Sequence, residues 1–238
     1  MIKYMNLVGR KARKAFEQKI DTKIKNKVLN KYAELLGNEK KLILKQNLKD
    51  ANYARKIGIK NNLISRLLIN ETKLKDIQNS IIKIAKLKDP VGNTLEKWKR
   101  PNGLNISKIS IPIGVIGVIY ESRPNVTSDV ASLCFKSGNP VILKGGSEAI
   151  NTNRILAKIF RKALKVNKVD ENFIQFIDTK QRRVVDIMLS GMKKYIDVII
   201  PRGGKNLVKR VQDLSSVPII GHLEGLCHTY VDEDASLT

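Results

Sequence analysis

The sequence is poor in everything that ties a chain together covalently. It has two cysteines, Cys134 and Cys227, far apart and in no CxxC spacing, so it offers neither a disulfide framework nor a zinc site, and no metal is expected. A reducing cytoplasm fits that usage best. Long hydrophobic runs are also missing: the stretch 111–120 is far too short to cross a bilayer, and the basic N-terminus carries no apolar core of a signal peptide. Neither membrane insertion nor export is expected. Acidic residues are scarce, 22 Asp and Glu against 45 Lys and Arg, which leaves a net charge of +23. Such a field favours phosphorylated ligands. It does not predict a nucleic-acid partner, because the lysines are scattered along helical segments instead of gathering in one run with aromatics between them. The standard dinucleotide fingerprint is absent too. No GxGxxG follows a strand, and Gly114 and Gly117 lie inside the apolar run 113–120, where they read as packing residues.

What is present points to an α/β protein. At 238 residues and 42% hydrophobic content the chain can build one large α/β domain or two small ones. As far as Pro90 it reads as helix: Gly37 and Gly58 punctuate three runs, and Leu74, Ile77, Ile81 and Ile84 recur at helical spacing before Asp89-Pro90 ends the pattern. The turn Pro101-Asn102-Gly103 introduces two β-rich runs, 104–111 and 113–120. Strands are then expected at 141–143, 173–177, 196–200 and 217–220, separated by helices at 148–165, 180–190 and 204–214. Short apolar strands alternating with helices predict a doubly wound, mostly parallel sheet with helices on both faces. The expected organisation is a helical region over 1–100 followed by a Rossmann-like domain over 101–238.

In such a sheet ligands bind beyond the carboxyl ends of the strands, so the loops there are the candidates. After 140–143 comes Lys144-Gly145-Gly146-Ser147-Glu148 at the start of a helix. Glycines let a backbone approach an anion, free N–H groups and the helix dipole attract it, and Lys144 adds a full charge. The same two glycines can also serve the turn alone. Pro201-Arg202-Gly203-Gly204 repeats the pattern, with Arg202 able to grip a phosphate or carboxylate in two places. A third loop, beginning at Glu121, brings Asn125 to a helix start that Thr127 could cap. An amide there can stabilise an oxyanion, although an asparagine beside a proline is more often a turn residue. His222 and His228 flank Cys227 without a further clustered ligand, the ordinary pattern of a buried thiol beside a satisfied histidine; Cys134 sits in an apolar helix and reads as core.

Taken together, 111–121, Arg123-Pro124-Asn125-Val126-Thr127, Lys136-Ser137-Gly138-Asn139, 141–149, 200–204 and 227–234 resemble, in order and spacing, the glutamate-5-semialdehyde dehydrogenase family, also called gamma-glutamyl phosphate reductase. This family is a branch of the aldehyde dehydrogenase superfamily. The resemblance implies NADPH-dependent reduction of L-glutamyl 5-phosphate to glutamate 5-semialdehyde and phosphate in proline biosynthesis. A cysteine thiolate would displace phosphate to form a thioester, which then accepts hydride. It also implies roles: Asn125 as oxyanion donor, Lys144, Gly145, Gly146, Ser147 and Glu148 at the adenosine ribose and its phosphate, and Pro201, Arg202, Gly203 and Gly204 beside the nicotinamide half. Functional coupling to glutamate 5-kinase and a homo-oligomeric full-length enzyme follow from the same resemblance. In this family the nucleophilic cysteine lies beyond the Tyr-Val-Asp-Glu-Asp segment, so a chain ending at Thr238 is expected to be a fragment without it. The competing expectation is a stand-alone nucleotide- or anion-binding module that performs no chemistry.

Overall fold

The computed structural model describes residues 1–121, 123–221 and 227–236. Five helices come first: α1 (Ile2–Phe16), α2 (Thr22–Asn38), α3 (Lys40–Lys56), α4 (Asn61–Leu67) and α5 (Glu71–Lys86). Two of their starts are closed by short polar side chains. Asp21 accepts from the amide of Ile24 at 2.8 Å, and Asn70 from that of Lys73 at 2.8 Å. The three expected runs are thus five helices, and Gly37 falls inside the last turn of α2. Helix ends at Lys86, well before residue 100, and residues 94–99 are a strand.

That strand, β1 (Thr94–Lys99), pairs antiparallel with β2 (Asn105–Ile109) in a two-stranded ribbon. Every β1 residue is exposed, which explains why its sequence carries no alternating apolar signal. The chain then enters the main sheet through β3 (Ile116–Tyr120), crosses by α6 (Pro124–Lys136) to β4 (Val141–Lys144), and crosses again by α7 (Ile150–Val166) to β5 (Ile174–Phe176). The last crossover contains α8 (Arg183–Asp186), continued as a π turn over Ile187–Gly191. It leads to β6 (Val198–Arg202) and α9 (Lys205–Leu214).

The strands are ordered β5-β4-β3-β6 and all pair in parallel. β3 is buried along its whole length, and its side chains alternate between two cores. Ile116, Val118 and Tyr120 join residues of α2, α5, α6 and α7 on one face. Val115 and Ile119 join Met5, Val8 and Ala12 of α1, with Met188 and Val211, on the other. Helices cover both faces, as the sequence predicts for a doubly wound sheet.

The differences are local. α7 is preceded by a 3-10 turn at Ser147–Ala149, and β6 is shifted two residues toward the C-terminus, so Pro201 and Arg202 belong to the strand and not to the loop. The expected strand 217–220 is reduced to one parallel bridge, Ile199 to Ile219, because it has a partner on one side only and holds a single point of register.

The larger core centres on rings. Phe160 lies 4.3 Å from the Tyr32 ring centroid and 5.9 Å from that of Phe135, which in turn meets Phe173 edge-on at 5.6 Å. Phe160 has no exposed surface, so Phe160→Ala removes a ring that joins the helical region to the sheet. Urea denaturation should show a loss of about 3–5 kcal/mol; a loss below about 1 kcal/mol would mean that the two regions are not welded there.

Candidate functional site

From β3 the chain winds outward to β4 and β5, then returns to place β6 on the opposite side of β3. The winding therefore reverses between β3 and β6, and this is where a doubly wound sheet opens a crevice at its carboxyl edge. The residues there are paired in register: Tyr120 with Arg202, and Ile119 with Lys144. A cavity of about 660 Å³ lies beyond them. Both glycine turns line it, Lys144, Gly145, Gly146, Ser147 and Glu148 from one and Arg202, Gly203 and Gly204 from the other. Pro201 is buried in the strand below and is not part of the wall.

The first turn is built around its missing side chain. A Cβ on Gly145 would overlap the Asn153 amide and come within 3.0 Å of the Tyr120 ring. Those two groups are themselves fixed: the Tyr120 hydroxyl and the Thr127 hydroxyl are 2.6 Å apart, and Thr127 donates to Asn153 Oδ1 at 2.9 Å. One buried chain of hydrogen bonds thus joins the end of β3, the first turn of α6 and the first turn of α7. Burial raises the Tyr120 phenol far above its ordinary range, which keeps it neutral. It also explains why Thr127 does not cap α6: its hydroxyl is spent inside this chain. The Lys144 ammonium donates to the Gly145 carbonyl at 2.6 Å; burial lowers its pKa, and the neighbouring Glu148 carboxylate opposes that shift.

Behind both turns, part of the helix start is already met by a carboxylate of the protein itself. Asp50 of α3, which is 1% exposed, closes the first turn of α7. Its carboxylate accepts from the amides of Asn151 (3.2 Å) and Thr152 (2.7 Å), from the Thr152 hydroxyl (2.7 Å) and from the Asn151 side-chain amide (2.8 Å). At the second turn the Glu121 carboxylate accepts from the Gly204 amide at 2.9 Å and lies against Gly203, leaving no room for a Cβ there. The protein therefore supplies its own anion at each helix start. Asp50 carries no local sign of this role, because its partners are 101 and 102 residues away.

The cavity is rich in side-chain charge. Seven basic residues line the cavity against two carboxylates, Glu121 and Glu148. Besides Lys144 and Arg202, they are Arg66, Arg123, Lys180, Arg182 and Arg210. Arg210 pairs with Asp186 at 2.8 Å, and the Lys180 ammonium sits 4.0 Å over the Tyr53 ring. Arg66, Arg123, Arg182 and Arg202 form no ion pair with a described residue. Of these seven, the turn motifs alone single out Lys144 and Arg202; the rest come from α4, α9 and the connecting loops.

Asn125 is not in this wall. It occupies the second position of α6, since Pro124 begins the helix, and lines a neighbouring cavity of about 410 Å³. Its side-chain amide donates to Asp129 at 3.1 Å, one turn further along. Arg66 and Arg123 line both cavities and mark where they meet.

The cysteines stand apart from both. Cys134 is buried and its thiol is pushed up to about 12 by burial, as core reading requires. Cys227 is exposed, contrary to the expected buried thiol, because the described segment 227–236 forms no strand or helix to cover it. His222 lies outside the described residues. Among the described residues no three His, Cys, Asp or Glu side chains gather as a metal site, and no helix is long and apolar enough to cross a membrane.

Comparison with known proteins bears out the resemblance seen in the motifs. The chain is 46% identical over 237 residues to the gamma-glutamyl phosphate reductase of Clostridium tetani, an alignment covering 99% of this chain and 55% of that protein. A crystal structure of gamma-glutamyl phosphate reductase from Thermotoga maritima matches with a TM-score of 0.86 at 38% identity, covering 89% of this chain and 51% of the other. A probable aldehyde dehydrogenase from Listeria monocytogenes EGD-e has the same fold over 93% of this chain and 46% of its own, at a TM-score of 0.69 and 17% identity. No family model matches. The chain spans about half the length of the curated relatives it matches.

Asp50→Ala would orphan two backbone amides, a hydroxyl and a side-chain amide. It is expected to destabilise the fold by about 3 kcal/mol or more in denaturant titration; an unchanged midpoint would show that water replaces the carboxylate at no cost.

Proposed function

We propose that this chain, similar over nearly its whole length to gamma-glutamyl phosphate reductases, is the cofactor-holding part of such an enzyme and binds NADP(H) in the 660 Å³ cavity. The reaction it serves is reduction of L-glutamyl 5-phosphate to glutamate 5-semialdehyde and phosphate, on the route to proline. The observation that carries this is the meeting of both glycine turns in one basic cavity at the switch point of the sheet. Its volume falls within the range of about 300–1,000 Å³ usual for small-ligand sites. Ile59 and Leu63 on one side and Val185 and Leu207 on the other give it apolar walls suited to flat rings. Bound there, the nicotinamide supplies the hydride.

The chain's own groups then have distinct tasks. Lys144, Ser147 and Glu148 hold the adenosine ribose and the phosphate it carries. Gly145 lets the backbone come close because no side chain fits between it and Asn153. Arg202, with Gly203 and Gly204, holds the other half of the dinucleotide. Asn125 has two amide N–H donors, of which Asp129 engages one; the second serves the carbonyl oxygen as negative charge develops on it. Arg66 and Arg123, at the junction of the cavities, neutralise the departing phosphate. Neither Cys134 nor Cys227 lines either of these two cavities, so the thiolate that the resemblance implies is assigned to neither.

The alternative of a binding module without chemistry shares the cavity and differs at Asn125, which would then have no task. Fluorescence titration tests the shared part. Lys144→Ala and Arg202→Ala should each weaken NADPH binding by about tenfold to a hundredfold, the worth of one charge-assisted contact, while Lys108→Ala on the ribbon should leave it unchanged. Wild-type chain should prefer NADPH to NADH, with a gap that narrows as salt rises. Unaltered affinity in both cavity variants would exclude these residues from the site.

A further inference from the structure

The smaller cavity has features that the cofactor does not use. Its wall combines the apolar Ile69, Ile77 and Pro124 with the cations Arg66, Lys73 and Arg123 and with two carboxylates, Asp76 and Asp129, the latter held from two sides. Ser80 of α5 donates to one Asp129 oxygen at 3.2 Å and Asn125 to the other at 3.1 Å. No described basic side chain forms an ion pair with it, although the chain carries a twofold excess of cations. Burial raises its pKa against those two hydrogen bonds. A carboxylate oxygen pair has about four acceptor positions, so two donors leave room for a cationic guest.

We infer that Asp129 is a specificity residue that receives the α-ammonium group of the acyl substrate, so that the smaller cavity selects an amino acid over a plain dicarboxylate. The inference rests on the oxyanion role proposed for Asn125, whose side chain touches Asp129. Asn125 and Asp129 are four residues apart on one face of α6, and their side-chain groups meet at 3.1 Å. In an extended glutamyl group the reacting carbonyl carbon and the amino nitrogen are separated by four bonds, roughly 5 Å in zigzag. With its carbonyl oxygen at the Asn125 amide, such a group lays its ammonium at Asp129. Arg66 and Arg123, at the mouth toward the cofactor, suit the anionic end of the same molecule.

The test uses two ligands that differ only in the ammonium: the 5-methyl ester of L-glutamate and monomethyl glutarate, titrated calorimetrically into the 238-residue chain. The amino ester should bind at least about tenfold more tightly, the contribution of one charge-assisted hydrogen bond. Asp129→Asn should erase that difference. Equal affinity of the wild-type chain for both esters, or binding of neither, overturns the inference, and because this comparison needs no variant it holds even if Asp129→Asn fails to fold. NADPH titration of the same wild-type sample keeps the two proposals apart. Tight NADPH binding without ester discrimination removes only the role of Asp129, whereas ester discrimination without NADPH binding removes the cofactor site and leaves Asp129 standing.

Discussion

Two internal carboxylates determine how this protein can recognise an anion. Asp50 takes the amides at the start of α7, and Glu121 takes the Gly204 amide at the start of α9. A Rossmann-type site with a free helix end lets the backbone hold a pyrophosphate. Here the fold itself occupies part of each helix end, and the crevice beside it is lined by lysine and arginine side chains. The glycines still matter, but for space: a side chain at Gly145 or Gly203 would collide with the groups that hold the turn in place.

The same contacts tie the N-terminal helices to the site. Asp50 reaches α7 from α3, and Asn47, one turn earlier, donates to the Leu67 carbonyl at 2.9 Å and to the Thr152 hydroxyl at 3.2 Å while accepting from the Ile69 amide. This fixes α4 and the segment after it against the start of α7. Arg66 is carried on that segment and stands where the two cavities meet. The helical region is therefore more than a cover for the sheet; it supplies one wall of each cavity and positions a charge between them.

Much of this was legible in the sequence, and the limits have physical causes. The strands β3, β4 and β6 announce themselves because burial on both faces demands unbroken apolar runs, and the turns after β4 and β6 announce themselves through paired glycines. β1 was silent because both of its faces meet water, and 217–220 looked like a strand because Val217 and Ile219 pack inward although the segment pairs at a single bridge. Lys144 and Arg202 could be found beside their glycines. Asp50, Glu121 and Asp129 could not be given roles, since each acts on groups that only folding brings near, or, for Asp129, on a cavity whose other wall is α5. Thr127 was misjudged as a cap for the same reason: its partner Asn153 is 26 residues away.

In the proposed function a dinucleotide is held between the two glycine turns by side-chain charge, with Asn151 and Thr152 left to Asp50. Backbone amide shifts on adding NADP⁺ to isotope-labelled chain test it most directly. The account predicts large shifts in 144–148 and 202–204 and little change at Asn151 and Thr152, whose amides stay bonded to Asp50. Shifts concentrated at Asn151 and Thr152, or on the ribbon of β1 and β2, would contradict it.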